Sequence, residues 1–265
     1  MTTTDKTLGI LGLFTIDCPE WTVDAAAQHL GIPVSTAYRY FKSLTSAGLI
    51  VAFNPGRYVL GPAIIQYDHQ IRTVDPLLAT ARGPMQAMAR SLPKHSLVLL
   101  CGLHRNQVMC VHEEFVERSD FSLAYERGRL MPIHAGPPGL IILALMSLRD
   151  AQAYHERHGD ELAQAGLGPT WEEVRKALRA TRQARVVSGT ADATLGVAWT
   201  SVGMIGQDGS VAGSLSTAIP SQSHDKLRFE DLSRQLLAAS ELIYAGLALR
   251  GAEDYMPPPA ASLIA

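Results

Sequence analysis

At 265 residues the chain exceeds one ordinary domain, and 47% hydrophobic against 18% charged residues is enough apolar material for buried cores, which excludes a largely disordered protein. A formal net charge of −2 excludes a protein that coats nucleic acid indiscriminately. No apolar run approaches the ~20 residues of a membrane span, and Met1–Lys6 lacks the apolar stretch of a signal peptide, so a cytoplasmic location is expected. Cys18, Cys101 and Cys110 are odd in number and lack metal-ligand spacing, so reduced thiols are expected.

Residues 6–16 read as a supporting helix with Leu8, Leu11 and Leu13 among its apolar positions, although Gly9 and Gly12 weaken it. After a loop at Asp17–Glu20, Thr22 caps a helix whose Val23, Ala26, Ala27 and Leu30 fall on one face, and Gly31 stops it. Ile32 and Pro33 cross a turn. In the next helix Ala37, Tyr40, Phe41, Leu44 and Gly48 lie on one side, with Ser35, Tyr38, Arg39, Lys42 and Ser46 on the other. An apolar back with a front of hydroxyls and cations suits a helix that reads DNA, where donors must stand out from a packed support. Leu49–Phe53 and Tyr58–Leu60 are β-prone runs around Asn54-Pro55-Gly56, so a two-stranded wing follows, with Arg57 placed to touch a phosphate. The expected DNA-binding set is therefore Ser35, Thr36, Tyr38, Arg39, Lys42 and Arg57, acting on double-stranded DNA.

Lys6-Thr7-Leu8, the Gly-Ile-Pro-x-Ser-Thr-x-Tyr-Arg stretch from Gly31 and the closing Tyr58-x-Leu60-Gly61 resemble the DNA-binding domain of the IclR family of bacterial transcriptional regulators. Val34 stands where that family often has Lys. Charge follows the same division: residues 1–61 carry four cations and four anions, 62–94 four and two, and 95–265 fifteen and nineteen. A neutral head on an acidic body depends on a few placed cations and on dimerisation for its grip on DNA.

Pro62 opens a helical pattern with Ile64, Tyr67, Ile71 and Val74 on one stripe, read as a linker helix over 62–82 that Gly83-Pro84 breaks. Met85–Leu92 then starts a second domain. Strands are expected at Leu97–Leu103, Gln107–Glu114, Ser122–Tyr125, Gly196–Ile205 and Val211–Ile219. A buried helix opens at Gly136-Pro137-Pro138, a surface helix covers Trp171–Arg182, and a last helix covers Phe229–Leu249. The expected architecture is α+β: a winged helix-turn-helix over 1–61, the linker helix, an antiparallel-sheet sensor over 83–250, and a disordered tail over 251–265.

Gly128-x-x-Met131-Pro-x-His134-Ala135, Gly196-Val197 and Ser214-Leu215-Ser216 extend the IclR resemblance through the sensor. The resemblance implies a GAF-like fold that binds a small organic acid, with a pocket drawn from Gly136, Pro137, Asp192, Val197, Trp199, Ser214 and Ser216. Ser214 and Ser216 alternate on one strand face, where two hydroxyls can clasp a carboxylate or phenol. Pro137 and Pro138 remove two N–H donors from a helix start that would otherwise hold an anion, which favours an aromatic acid or related compound over a bare keto acid. The resemblance also implies a homodimer, with a homotetramer through the sensor domains as an option, and a regulator of a catabolic operon, with a repressor favoured.

A competing constellation is Cys110, His112 and Glu114, which at i, i+2, i+4 would share a strand face as half of a metal site. His155 and His158 could meet across a helical turn, though a solvated face is the plainer reading. No Gly-x-Ser-x-Gly elbow, HExxH or phosphate loop is present, so no catalytic residue, cofactor or resident metal is expected. A metal-responsive regulator or sensor-domain enzyme built on Cys110, His112 and Glu114 stands as the alternative.

Overall fold

The computed structural model describes residues 3–104, 106–117, 126–189, 196–206, 209–224 and 229–249. Contacts divide the chain into two units, Met1–Asp75 and Pro76–Ala265, each with its own apolar core.

In the first unit, α1 (Thr3–Gly9) ends at the first of the two glycines, and a 3₁₀ turn at Leu11–Leu13 replaces the continuous helix expected over 6–16. Two glycines three residues apart raise the entropy cost of helix without adding packing. Ile10 is consequently the buried anchor, while Leu8 is exposed. Helix α2 (Val23–Leu30) is capped by Thr22 Oγ1, which accepts the Ala25 N–H at 3.1 Å. It stops at Gly31, whose φ of 63° is the left-handed conformation that glycine enters without strain. Helix α3 (Val34–Ser46) then turns Ala37, Tyr40, Phe41 and Leu44 inward, where Ala26 and Ile50 complete the core.

The wing follows as β1 (Ile50–Asn54) and β2 (Arg57–Leu60), antiparallel around Pro55-Gly56. Trp21 joins its edge: Trp21 and Tyr58 exchange backbone hydrogen bonds of 3.0 and 2.9 Å, and the Trp21 indole donates to the Leu13 carbonyl at 2.8 Å. Helix α4 (Pro62–Val74) opens on proline and buries none of its side chains.

The second unit begins with α5 (Pro76–Ser91), which runs straight through Gly83-Pro84. The helix boundary lies instead at Asp75, extended at ψ 116°, because the residue before Pro76 is pushed out of the helical region. A proline inside a helix costs about 3 kcal/mol, but α5 buries Leu78, Ala81, Met85, Met88 and Ala89. At roughly 1.5–3 kcal/mol for each large apolar side chain, that packing wins.

Strands β3 (Leu97–His104), β4 (Gln107–Phe115) and β5 (Leu130–Pro132) precede α6 (Pro137–Leu145), α7 (Leu148–Gln164) and α8 (Trp171–Ala184). Then come β6 (Val186–Gly189), β7 (Val197–Ile205), β8 (Val211–Pro220), the short α9 (Ser221–His224) and α10 (Phe229–Leu249). The strands form one antiparallel sheet in the order β5-β4-β3-β8-β7-β6. One face packs Leu97, Leu99, Trp199 and Ala218 against Ile142 and Leu143 of α6, Tyr154 of α7 and Val174 of α8. The other packs Val98, Leu100, Val202 and Leu215 against Met85 of α5 and Leu236 and Ile243 of α10. The short edge strands β5 and β6 and helix α7 were not apparent in the sequence, and the expected strand at Ser122–Tyr125 and the expected tail lie outside the described residues.

Candidate functional site

Helix α3 separates its two faces as its periodicity requires. Ser35, Tyr38, Arg39 and Lys42 are exposed and Thr36 is half-buried, while Tyr40, Phe41 and Leu44 hold the helix from behind. Arg39 and Lys42 make no ion pair among the described residues, so both charges are available to a polyanion. Arg57, expected to touch a phosphate, has a partner within the wing region. Its Nη1 donates to Glu20 Oε1 at 2.9 Å, an exposed pair. Such pairs contribute only about 0–1 kcal/mol, so a phosphate can compete for Arg57. Val34 and Tyr38 add exposed apolar area to the same helix.

In the second unit, strand parity places Ser214 and Ser216 together on the face covered by α6, beside Val197 and Trp199 of β7. Gly203 explains the close approach of α6 over this region, since a β-carbon there would run into Leu145 and lie 3.2 Å from Ile141. Pro137 starts α6, and Gly136 precedes it in a conformation reserved for glycine, with φ 151°. Ser201, which sequence reading passed over, is paired directly with Ser216 across β7 and β8 and points to the same face. Ser201, Ser214 and Ser216 are fully buried, and none of their hydroxyls finds a hydrogen-bond partner among the described residues. A buried hydroxyl left unpaired costs about 1–3 kcal/mol, so each of these hydroxyls would gain from a polar partner. Asp192 lies outside the described residues.

A sequence model of the IclR helix-turn-helix domain matches residues 3–52. Residues 3–52 of the N-terminal unit are thus similar to an IclR helix-turn-helix domain. No curated protein sequence matches the chain. Among solved structures, an IclR homolog from Microbacterium hydrocarbonoxydans complexed with 4-hydroxybenzoate is similar, at 19% identity and a TM-score of 0.70, over 94% of this chain and 100% of that one. An IclR transcriptional regulator from Alicyclobacillus acidocaldarius gives 17% identity and a TM-score of 0.72 over 92% and 98%. An IclR family regulator from Brucella abortus gives 17% and 0.72 over 92% of each chain. Those similarities extend across the second unit and show that it shares the fold of those structures.

The alternative metal face is not formed in the second unit. Cys110 pairs with Cys101, but His112 pairs with Leu100, so Val111 is an extra residue, a β-bulge, between them. The bulge puts Cys110 on the α6 side and His112 with Glu114 on the α5 side. His112 Nε2 lies 3.0 Å from Glu114 Oε1, to which Gln86 of α5 also donates at 3.3 Å. A hydrogen bond with the Cys101 thiol, followed by burial, pushes the Cys110 thiol far up, away from the thiolate a metal would need. Among the described residues no group of three or more His, Cys, Asp or Glu side chains could hold a metal ion.

His155 and His158 do not converge, and neither lies on a fully solvated face. His158 interrupts α7 at φ −133° and packs on Tyr154, ring centroids 4.5 Å apart, and on His134 at 5.7 Å. His155 leans on Trp171 at 5.7 Å. Tyr154 Oη and His134 Nδ1 are hydrogen-bonded at 2.9 Å. Burial first, then the neighbouring His158, lowers the pKa of His134, while Glu161 opposes them.

Proposed function

We propose that the chain is a ligand-responsive DNA-binding transcriptional regulator, a repressor of a catabolic operon, that senses an aromatic acid or related compound. The observation that carries this reading is α3, whose exposed Ser35, Tyr38, Arg39 and Lys42 stand on a buried back within a matched IclR helix-turn-helix. Arg39 and Lys42, with Ser35, Thr36 and Tyr38, enter the major groove, and Arg57 exchanges Glu20 for a flanking phosphate. The effector takes the hydroxyls of Ser214, Ser216 and Ser201, with Val197 and Trp199 against its ring and Gly136 and Pro137 at its edge. The similar fold of the regulator complexed with 4-hydroxybenzoate supports an aromatic acid.

The working unit is a homodimer. Tyr67, Ile71 and Val74 on α4 are between 49% and 73% exposed and, with Ile64, form an apolar stripe suited to a second copy of the chain. Two-fold symmetry then calls for a near-palindromic operator. Effector binding acts by preferring one dimer geometry, since only differential affinity shifts such an equilibrium.

Duplexes selected from a randomised library, followed by anisotropy titration, test the reading. Arg39→Ala should cost about 1–3 kcal/mol on the selected duplex, and Lys42→Ala should reduce the salt slope by about 1. Thermal shift with 4-hydroxybenzoate at a hundredfold excess over its dissociation constant should stabilise the protein by ~2.7 kcal/mol. Ser216→Ala should abolish that shift while DNA affinity is kept. Failure to enrich any duplex rejects the DNA-reading role; a shift that survives Ser216→Ala rejects the serine pocket.

A further inference from the structure

Away from the serine face, α6, α8 and the start of α7 enclose a groove of about 640 Å³. That volume suits a small organic molecule. Its floor is apolar and buried, formed by Leu143, Met146, Ala151 and Leu178, and Leu148, 57% exposed, forms one lip. The opposite lip is α8, where Arg175, Lys176 and Arg179 fall on adjacent positions of one helical face. None of the three makes an ion pair among the described residues. Arg182 completes the row but is already engaged, its Nε donating to the Ala144 carbonyl at 2.7 Å and its Nη2 to the Met146 carbonyl at 2.6 Å. Glu172 is the one acidic side chain at the lip, against those four cations.

From this geometry we infer that the groove is a second ligand site, specific for a small amphipathic carboxylate. The apolar body lies on Leu143, Met146 and Leu178, and the carboxylate meets Arg175, Lys176 and Arg179. An apolar floor alone would accept a neutral guest, and a cationic lip alone would accept any anion; the two together select a molecule that has both parts. None of the residues assigned to the effector pocket lines this groove, so the site stands independently of the effector reading. The two sites nonetheless share α6: Pro137 lies at its start, and Leu143, Ala144 and Met146 lie at its end. Arg182 ties those last carbonyls to α8, so a guest in the groove bears on the helix that covers the serines.

Titration calorimetry on the full-length protein with sodium octanoate as the probe tests the inference. Octanoate should bind saturably, whereas acetate, which lacks the body, and octylamine, which carries the opposite charge, should not. The double variant Arg175→Gln/Arg179→Gln should raise the octanoate dissociation constant by about tenfold or more, and added salt should weaken binding to the wild type. Leu148→Ser should weaken it as well, and Ser216→Ala should leave it unchanged. Equal binding of octylamine, or indifference to Arg175→Gln/Arg179→Gln, overturns the proposal. Loss of binding in Ser216→Ala also overturns it, by placing the probe on the serine face. A fall in particle mass of the double variant by light scattering overturns it too, by showing that the surface joins copies of the chain. Should the double variant fail to fold, Leu148→Ser and the salt dependence decide.

Discussion

His134 sits where two requirements meet. Its ring is hydrogen-bonded to Tyr154 and tilted against His158, and burial first, then the neighbouring His158, opposes its protonation. A histidine whose folded pKa is depressed below 6.5 contributes stability that is complete above that value and is lost as pH falls through the folded one. The melting temperature of the second unit should therefore decline as pH is lowered from about 7 to about 5, and His134→Gln should flatten that decline. An equal decline in the variant would assign the effect to other groups. The serine row makes a different residue-scale point. Ser214 and Ser216 were legible because they alternate in an otherwise ordinary strand, whereas Ser201 is hidden in β7, where eight of nine residues are buried and both faces read as apolar. Its parity with Val197 and Trp199 was the available signal.

Elements in the head were legible because each carries its own local punctuation: Thr22 starts α2, Gly31 ends it, Pro33 precedes α3, and Pro55-Gly56 turns the wing. Gly31→Ala tests how much that punctuation matters. A β-carbon in the left-handed conformation costs roughly 1–2 kcal/mol, so the head should lose about that much stability, and duplex affinity should fall with the altered angle between α2 and α3. Denaturant unfolding of the isoleucine- and phenylalanine-anchored head, followed by Trp21 fluorescence, reads the change. Elements of the second unit were less legible where distant packing decides. Helix α5 survives Pro84 because α10, more than a hundred residues later, covers its apolar side. Strands β5 and β6 are three and four residues long, too short for alternation to register, and their pairing with β4 and β7 is set by the sheet. Helix α7 is sparse in buried residues and bent at His158, which blurs its period.

The whole molecule divides its core three ways: one cluster in the first unit and one on each face of the six-stranded sheet. A substitution in one unit should therefore leave the other unit's cohesion alone. Leu99, fully buried on the α6 face, is a suitable probe. Leu99→Ala should cost about 2–5 kcal/mol and lower the sensor transition in calorimetry, while the head transition keeps its position. A single transition shifting as one would mean that the units melt together. Cavity formation at Leu99 also borders Ser216 in the β3–β8 register, so aromatic-acid binding should weaken in parallel with that transition.

Val111 gives the six-stranded sheet a property that neither its faces nor its cores display. A strand keeps phase in steps of two, and an unpaired residue shifts the phase of everything beyond it. Because Val111 absorbs that shift, Cys110 can belong to one side of the sheet and His112 to the other although they are an even step apart. The length of β4 is therefore negotiable at this position. Removing Val111 would leave every neighbour on its present side, whereas removing a residue paired in the regular ladder would exchange inside for outside along half the strand. Within β4, a one-residue deletion should be tolerated best here, where the ladder already carries an unpaired residue.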